Sequence, residues 1–137
     1  MAVRIEIVYE GGLRCCAVHG PSRNQLLTDA PVDNQGRGEA FSPTDLVATA
    51  LGTCIATTMG IVAERHGIDL AGMRITMEKE MVADPMRRIA ALTAVISVPR
   101  PLNPQQKLLL ERAAADCPVN KSLDSRIDRP IRFEWRS

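Results

Sequence analysis

Between Ser42 and Gly67 the chain reads SPTDLVATALGTCIATTMGIVAERHG, and from Leu46 to Ala63 eighteen consecutive residues carry no charge. Ser42 can cap a helix, Pro43 suits a first turn in which its missing N–H is not needed, and Asp45 stands where a capping-box acid reaches back. Gly67 supplies the stop. An uncharged run of this length makes a helix neutral nearly all the way round rather than along one stripe, so the helix is expected to be buried. A membrane span has the same look. Here Thr49, Thr53, Thr57, Thr58, Gly52 and Gly60 dilute the run and the sequence holds no second span, which favours the core helix of a soluble protein. Ala48, Gly52, Ala56 and Gly60 recur every four residues, a ridge of small side chains that another helix can approach closely. Cys54 sits in the middle of this helix.

Around that helix the chain needs one core. Its 137 residues, 45% of them hydrophobic, suit a single domain of residues 1–137, and with aromatics at only 3% the core must be aliphatic. A net charge of +1 without long like-charge blocks argues against nucleic acid as a partner. Arg4 and Glu6 interrupt any apolar signal region at the N-terminus, so a cytoplasmic protein not bound to a membrane is expected. In a reducing compartment Cys15, Cys16, Cys54 and Cys117 are thiols rather than staples, and no CxxC pair or nearby His suggests zinc or another cofactor.

The remaining elements follow from periodicity. Val3, Ile5, Ile7 and Tyr9 alternate with charges as on a half-buried strand, Glu10 to Gly12 turn the chain, and Leu13 to Val18 returns as a hairpin. Cys15 and Cys16 then point to opposite faces, so only one of them can be buried. From Gly20 to Phe41 the composition is that of a long loop, interrupted at Leu26 and Leu27 by what could be a brief edge strand, and it brings Arg37 and Glu39 just ahead of the helix. Met73 to Met81 alternates as a strand with one wet face. Ile89 to Val98, apolar on both faces, reads as a central strand that Pro99, Pro101 and Pro104 forbid to continue. Asn103 with Gln106 opens a second helix, and Ile127, Ile131, Phe133 and Trp135 mark a last strand. The order is that of an α+β fold.

Two cysteines stand where chemistry is plausible. Cys54 lies on the central helix. Cys117 opens CPVNKSL, where Pro118 suits a first helical turn and leaves Cys117 at its cap; the helix end should then ease ionisation of the Cys117 thiol. Packing alone accounts for Cys15 and Cys16, and without other knowledge Cys54 and Cys117 read as a structural accident, because nothing in composition places them together in space.

SPTDLVATALGTC followed far down the chain by DCPVNKSL resembles the OsmC/Ohr family of thiol-dependent hydroperoxide reductases, and the order of elements fits along almost the whole chain. The resemblance implies an intertwined homodimer, with two long central helices packed together and wrapped by antiparallel sheet, and two active sites at the subunit interface. It implies a cofactor-free peroxidase in which Cys54 attacks an organic hydroperoxide, Cys117 resolves the resulting sulfenic acid as a disulfide, and an external dithiol reduces that disulfide. The family places a Glu directly after the helix-start Pro, where with an upstream Arg it holds the reactive thiolate. This chain has Thr44 there and Asp45 one residue on. For the Arg, Arg37 in the loop ahead of the helix and Arg14 after the hairpin glycines both lie near family positions; Arg37 ranks first because its loop leads directly into the Cys54 helix. The alternative on the same fold is a binding or thiol-handling protein without peroxide turnover, because fold alone does not fix function.

Overall fold

The computed structural model of the chain describes residues 1–136, which form two compact units, Met1–Val47 and the chain from Ala48 onward. The first unit is a three-stranded antiparallel meander of β1 (Ile5–Gly11), β2 (Arg14–His19) and β3 (Gln25–Asp29). Gly12 and Leu13 make its first turn, both at positive φ (62° and 65°), and Leu13 is a poor residue for that conformation. The stretch expected as a long loop contains β3 as a full strand and then folds back on the strand's end. Asp29 N–H donates to Phe41 O, Ala30 N–H to Leu13 O and Gly38 N–H to Ala30 O. Gly36 is there because any Cβ would fall 1.7 Å from Ala30 O.

Two expectations about this sheet need correction. β1 is not half-buried: six of its seven residues are exposed and the seventh is intermediate. One face of the sheet carries Ile5, Ile7 and Tyr9 with Ala17 and Leu26 in register beside them, and Ile7 alone keeps 66% of its surface open. Cys15 and Cys16 do lie on opposite faces, yet both are half-buried rather than one buried and one free.

The helix α1 (Pro43–Arg65) starts at Val47's end of the first unit and continues through the second. Its cap is a reciprocal pair: Ser42 Oγ accepts from Asp45 N–H at 3.0 Å, and Asp45 Oδ2 accepts from Ser42 N–H at 2.9 Å. It ends in a Schellman motif, with Ile68 N–H on Ala63 O, Gly67 N–H on Glu64 O, and Gly67 at φ +67°. By length and composition α1 could cross a bilayer, but it is not buried all round: 33% of its apolar window is buried, on the stripe of Ala48, Leu51, Gly52, Ile55, Met59 and Ala63.

That stripe packs within the second unit. There β4 (Arg74–Val82), β5 (Arg88–Pro101) and β6 (Ile131–Arg136) form a sheet with β5 central, joined by α2 (Pro104–Ala115) and the one-turn α3 (Pro118–Ser122). β4 and β5 are antiparallel, whereas β6 runs parallel to β5, so the sheet is mixed and not purely antiparallel as expected. The parallel pairing follows from the connection, because α2 and α3 carry the chain back to the starting end of the sheet. β5 also runs past Pro99 to Pro101, where the register breaks and its pairing passes from β4 to β6 alone, so the missing N–H groups cost no ladder bond to β4. On one face of β5, Leu92, Ala94, Ile96 and Val98 are buried, as are Leu51, Ile55 and Met59 of α1 and Leu110 of α2. α2 is capped as its sequence predicts, with Asn103 and Gln106 exchanging both capping-box bonds. Gly52 lets β4 come against α1: a Cβ there would lie 2.8 Å from Met77 Cγ. Half of the small-residue ridge is therefore used within the chain, while Ala56 and Met73 line two open clefts of about 310 and 580 Å3, the second of them also lined by Gly60.

Candidate active site

Cys54 is held by the middle of α1 on the flank of the buried stripe opposite Ala56 and Gly60, as the 100° step of a helix requires. Cys117 reaches it from the junction of α2 and α3. Pro118 bars helical geometry at the residue before it and suits the first turn after it, so Cys117 takes an extended conformation (φ −74°, ψ 142°) and becomes the N-cap of α3. Its sulfur does what a Ser or Asp oxygen usually does there, accepting from Asn120 N–H at 3.3 Å. The two thiols are neighbours: Cys54 stands close enough to help raise the Cys117 thiol above its ordinary value. Cys117 is fully buried and Cys54 half-buried, so of the pair Cys54 is the one open to an incoming molecule.

The electrostatics of Cys117 differ from what its capping position alone suggests. Burial pushes its thiol above the ordinary value, and the neighbouring Cys54 thiol adds to the rise, while the N–H groups of Asn120 and Val119 pull the other way and lose. Loss of water around a thiolate outweighs one turn of helix.

Asn120 and Arg129 extend the site beyond the residues that motif reading singled out. Asn120 Nδ2 donates to Ala115 O at 3.2 Å, and Asn120 Oδ1 accepts from Arg129 Nε at 2.7 Å. Arg129 Nη1 donates to the carbonyls of Asp124 (2.8 Å) and Ile127 (3.2 Å). An Asn three residues after the Cys of a CP pair is a visible signal for a residue in the first turn of α3, but nothing in the sequence near Arg129 points to it. Next to it Arg126 grips the Asp124 carboxylate through Nε and Nη2 and holds that carboxyl far below the usual range.

The remaining candidates lie in the first unit. Arg37 projects into solvent with 84% of its side chain exposed and reaches Glu39 only at 3.9 Å. Arg14 is better held: its Nη1 lies 3.1 Å from Glu39 Oε1 and 3.7 Å from Oδ2 of the buried Asp29. Asp45, the acid next to the position of the family Glu, has its Oδ2 engaged by Ser42 N–H. Among the described residues, no group of three or more His, Cys, Asp or Glu side chains is arranged to hold a metal ion.

A family model described as OsmC-like protein matches residues 36–130, which include both cysteines. A Psychrobacter arcticus protein assigned by inference to the osmotic stress induced and detoxification response is similar at 40% identity, over 98% of this chain and 97% of its own, with a TM-score of 0.93. Similar in fold are an OsmC-like protein from Mycoplasma pneumoniae (14% identity, 100% and 99% of the chains, TM-score 0.84) and the organic hydroperoxide resistance protein OsmC from Legionella pneumophila (17%, 98% and 97%, TM-score 0.79). No curated protein matches the sequence. With a family model matched over residues 36–130 and a relative 40% identical over nearly the whole of both chains, the chain belongs to the OsmC-like family.

Proposed function

We propose that the protein is a thiol-dependent peroxidase that detoxifies organic hydroperoxides, with Cys54 as the attacking thiol and Cys117 as the resolving one. The observation that carries this reading is the nearness of the two thiols, one half-buried and one fully buried, from elements far apart in sequence, with Cys54 raising the Cys117 thiol. The Cys54 thiolate attacks the distal oxygen of ROOH; the O–O bond breaks, Cys54 becomes a sulfenic acid, and the alkoxide takes a proton to leave as ROH. Cys117 then attacks the sulfenic sulfur, giving the disulfide and water. An external dithiol returns both cysteines to thiols and is itself oxidised to a disulfide, which suits a reducing compartment such as the cytoplasm. An Arg assists the Cys54 thiolate; Arg37 and Arg14 are the two candidates, and Arg14 is the more firmly held of them.

The working form is a homodimer. What supports this is the apolar face of β1 to β3 left open in the chain, together with the cleft along Ala56 and Gly60, since contiguous apolar surface of this kind is covered in most soluble proteins.

One observation favours a second reading, an OsmC-fold binding or thiol-handling protein without peroxide turnover. Thr44 stands at the family's Glu position, and Asp45 is occupied in the helix cap. A stopped-flow experiment separates the two. Mixing reduced protein with cumene hydroperoxide is expected to consume two thiols per subunit, and peptide mapping is expected to find Cys54 linked to Cys117. Reduced protein that consumes no peroxide would leave the binding reading, whereas consumption that survives Cys54→Ser, or oxidised protein without that link, would overturn the two-cysteine mechanism.

A further inference from the structure

α3 has five residues, too few to hold a helix by its own hydrogen bonds, and Pro118, Lys121 and Ser122 in it are exposed. Cys117 nonetheless has to keep its sulfur against Cys54, so something outside α3 must hold the turn. Arg129 is suited to do so. The backbone on either side of it is bonded to the central strand: Leu92 N–H donates to Asp128 O at 2.8 Å, Asp128 N–H to Ala90 O at 2.9 Å, and Ala94 N–H to Pro130 O at 3.0 Å. From that sheet-anchored position its guanidinium takes Asn120 Oδ1 with Nε and ties the loop between α3 and β6 through the Asp124 and Ile127 carbonyls with Nη1. Asn120 passes the restraint on in both directions, through its side-chain N–H to the end of α2 and through its backbone N–H to Cys117 Sγ.

We infer that Arg129 and Asn120 are positioning residues for the thiol pair, a latch from the central strand that seats α3 so that Cys117 faces Cys54. The inference rests on the reading of Cys54 and Cys117 as a redox pair. Disulfide formation brings the two sulfurs to about 2.05 Å, and the latch holds the Cys117 turn in place for that approach. With α3 unlatched, an oxidised Cys54 waits longer for its partner, and a misplacement of about 1 Å is enough to slow such a step by one to two orders of magnitude.

The test uses diamide, an azo oxidant that needs no peroxidase activity. Cys54 adds across the N=N bond, then Cys117 displaces the hydrazine, so two thiols become one disulfide and diamide leaves with both hydrogens. The two steps are timed separately in the parent, Arg129→Gln, Arg129→Lys and Asn120→Ala. The latch predicts an unchanged first step, a second step slowed about tenfold in Arg129→Gln and Asn120→Ala, and recovery of most of the rate in Arg129→Lys, which keeps a donor and the charge. Second-step rates within about twofold of the parent in folded variants overturn it. Should the variants not fold, amide exchange in the parent decides: Lys121 N–H, which donates to Cys117 O at 3.2 Å, is expected to keep its protection when the disulfide forms. Loss of that protection on oxidation overturns the latch, because α3 would then have to leave its seat. Peroxide that fails to oxidise Cys54 while diamide gives these rates removes the peroxidase reading and leaves the latch standing.

Discussion

Cys117 is where burial and helix capping oppose each other. Its thiol is held above the ordinary value of 9.0, because the fully buried sulfur gains less from two N–H groups than it loses with its water. The thiolate is the attacking form, so its share at about pH 7 is small and grows roughly tenfold per pH unit. Disulfide formation after oxidation of Cys54 is therefore expected to accelerate from about pH 7 to about pH 9 without levelling off, as rapid-quench thiol counting can follow. The same sign holds for folding: a proton bound more tightly in the folded chain gives stability that is present below the ordinary thiol value and is lost as pH rises through the folded one. Substitution separates the two thiols. Cys54→Ser is expected to abolish peroxide consumption, whereas Cys117→Ser leaves the first oxidation intact and lets Cys54 proceed to sulfinic acid, visible by mass spectrometry. For the assisting cation, the alkylation rate of Cys54 at neutral pH is the measurement. A fall in Arg14→Ala or Arg37→Ala identifies the Arg, and an unchanged rate and pH profile removes that residue from the site.

α1 carries two local devices whose strength can be measured. The Ser42–Asp45 box satisfies two of the orphan donors at the helix start, so Asp45→Ala is expected to cost about 1 kcal/mol in urea unfolding. Gly60 is informative because it has no local need to be glycine: its place is inside a helix, and a Cβ there meets nothing within 4 Å in the chain. Considered by itself, Gly60→Ala should stabilise the helix by about 0.5 to 1 kcal/mol. If a second copy of the helix lies along this ridge, a larger side chain wedges the two apart, so Gly60→Leu is expected to shift sedimentation toward monomer. Gly52 behaves differently, because its missing Cβ already accommodates Met77.

For the whole molecule the expectation is a homodimer at micromolar concentration, and a monomer whose α1 amides stay protected from exchange would contradict it. α1, its caps, the capping box of α2 and the Cys117 cap of α3 were legible in the sequence, because each rests on interactions within about four residues and on residues with special backbone needs, such as Pro43, Gly67, Asn103 and Pro118. Periodicity also marked β5 as the central strand, since its residues must suit neighbours on both sides. Other features depended on where distant segments meet. The parallel seating of β6, the passage of β5 through Pro101, and the open faces of β1 come from pairing and covering partners that no local pattern encodes. The site divides in the same way. Cys54 and Cys117 stood out as residues, but their meeting, the burial that reverses the expected ease of ionisation at Cys117, and the reach of Arg129 to Asn120 exist only once α1, α3 and the central strand are packed together. Hydrogen-bond geometry and desolvation act through space, and in this chain the tertiary fold alone sets those distances.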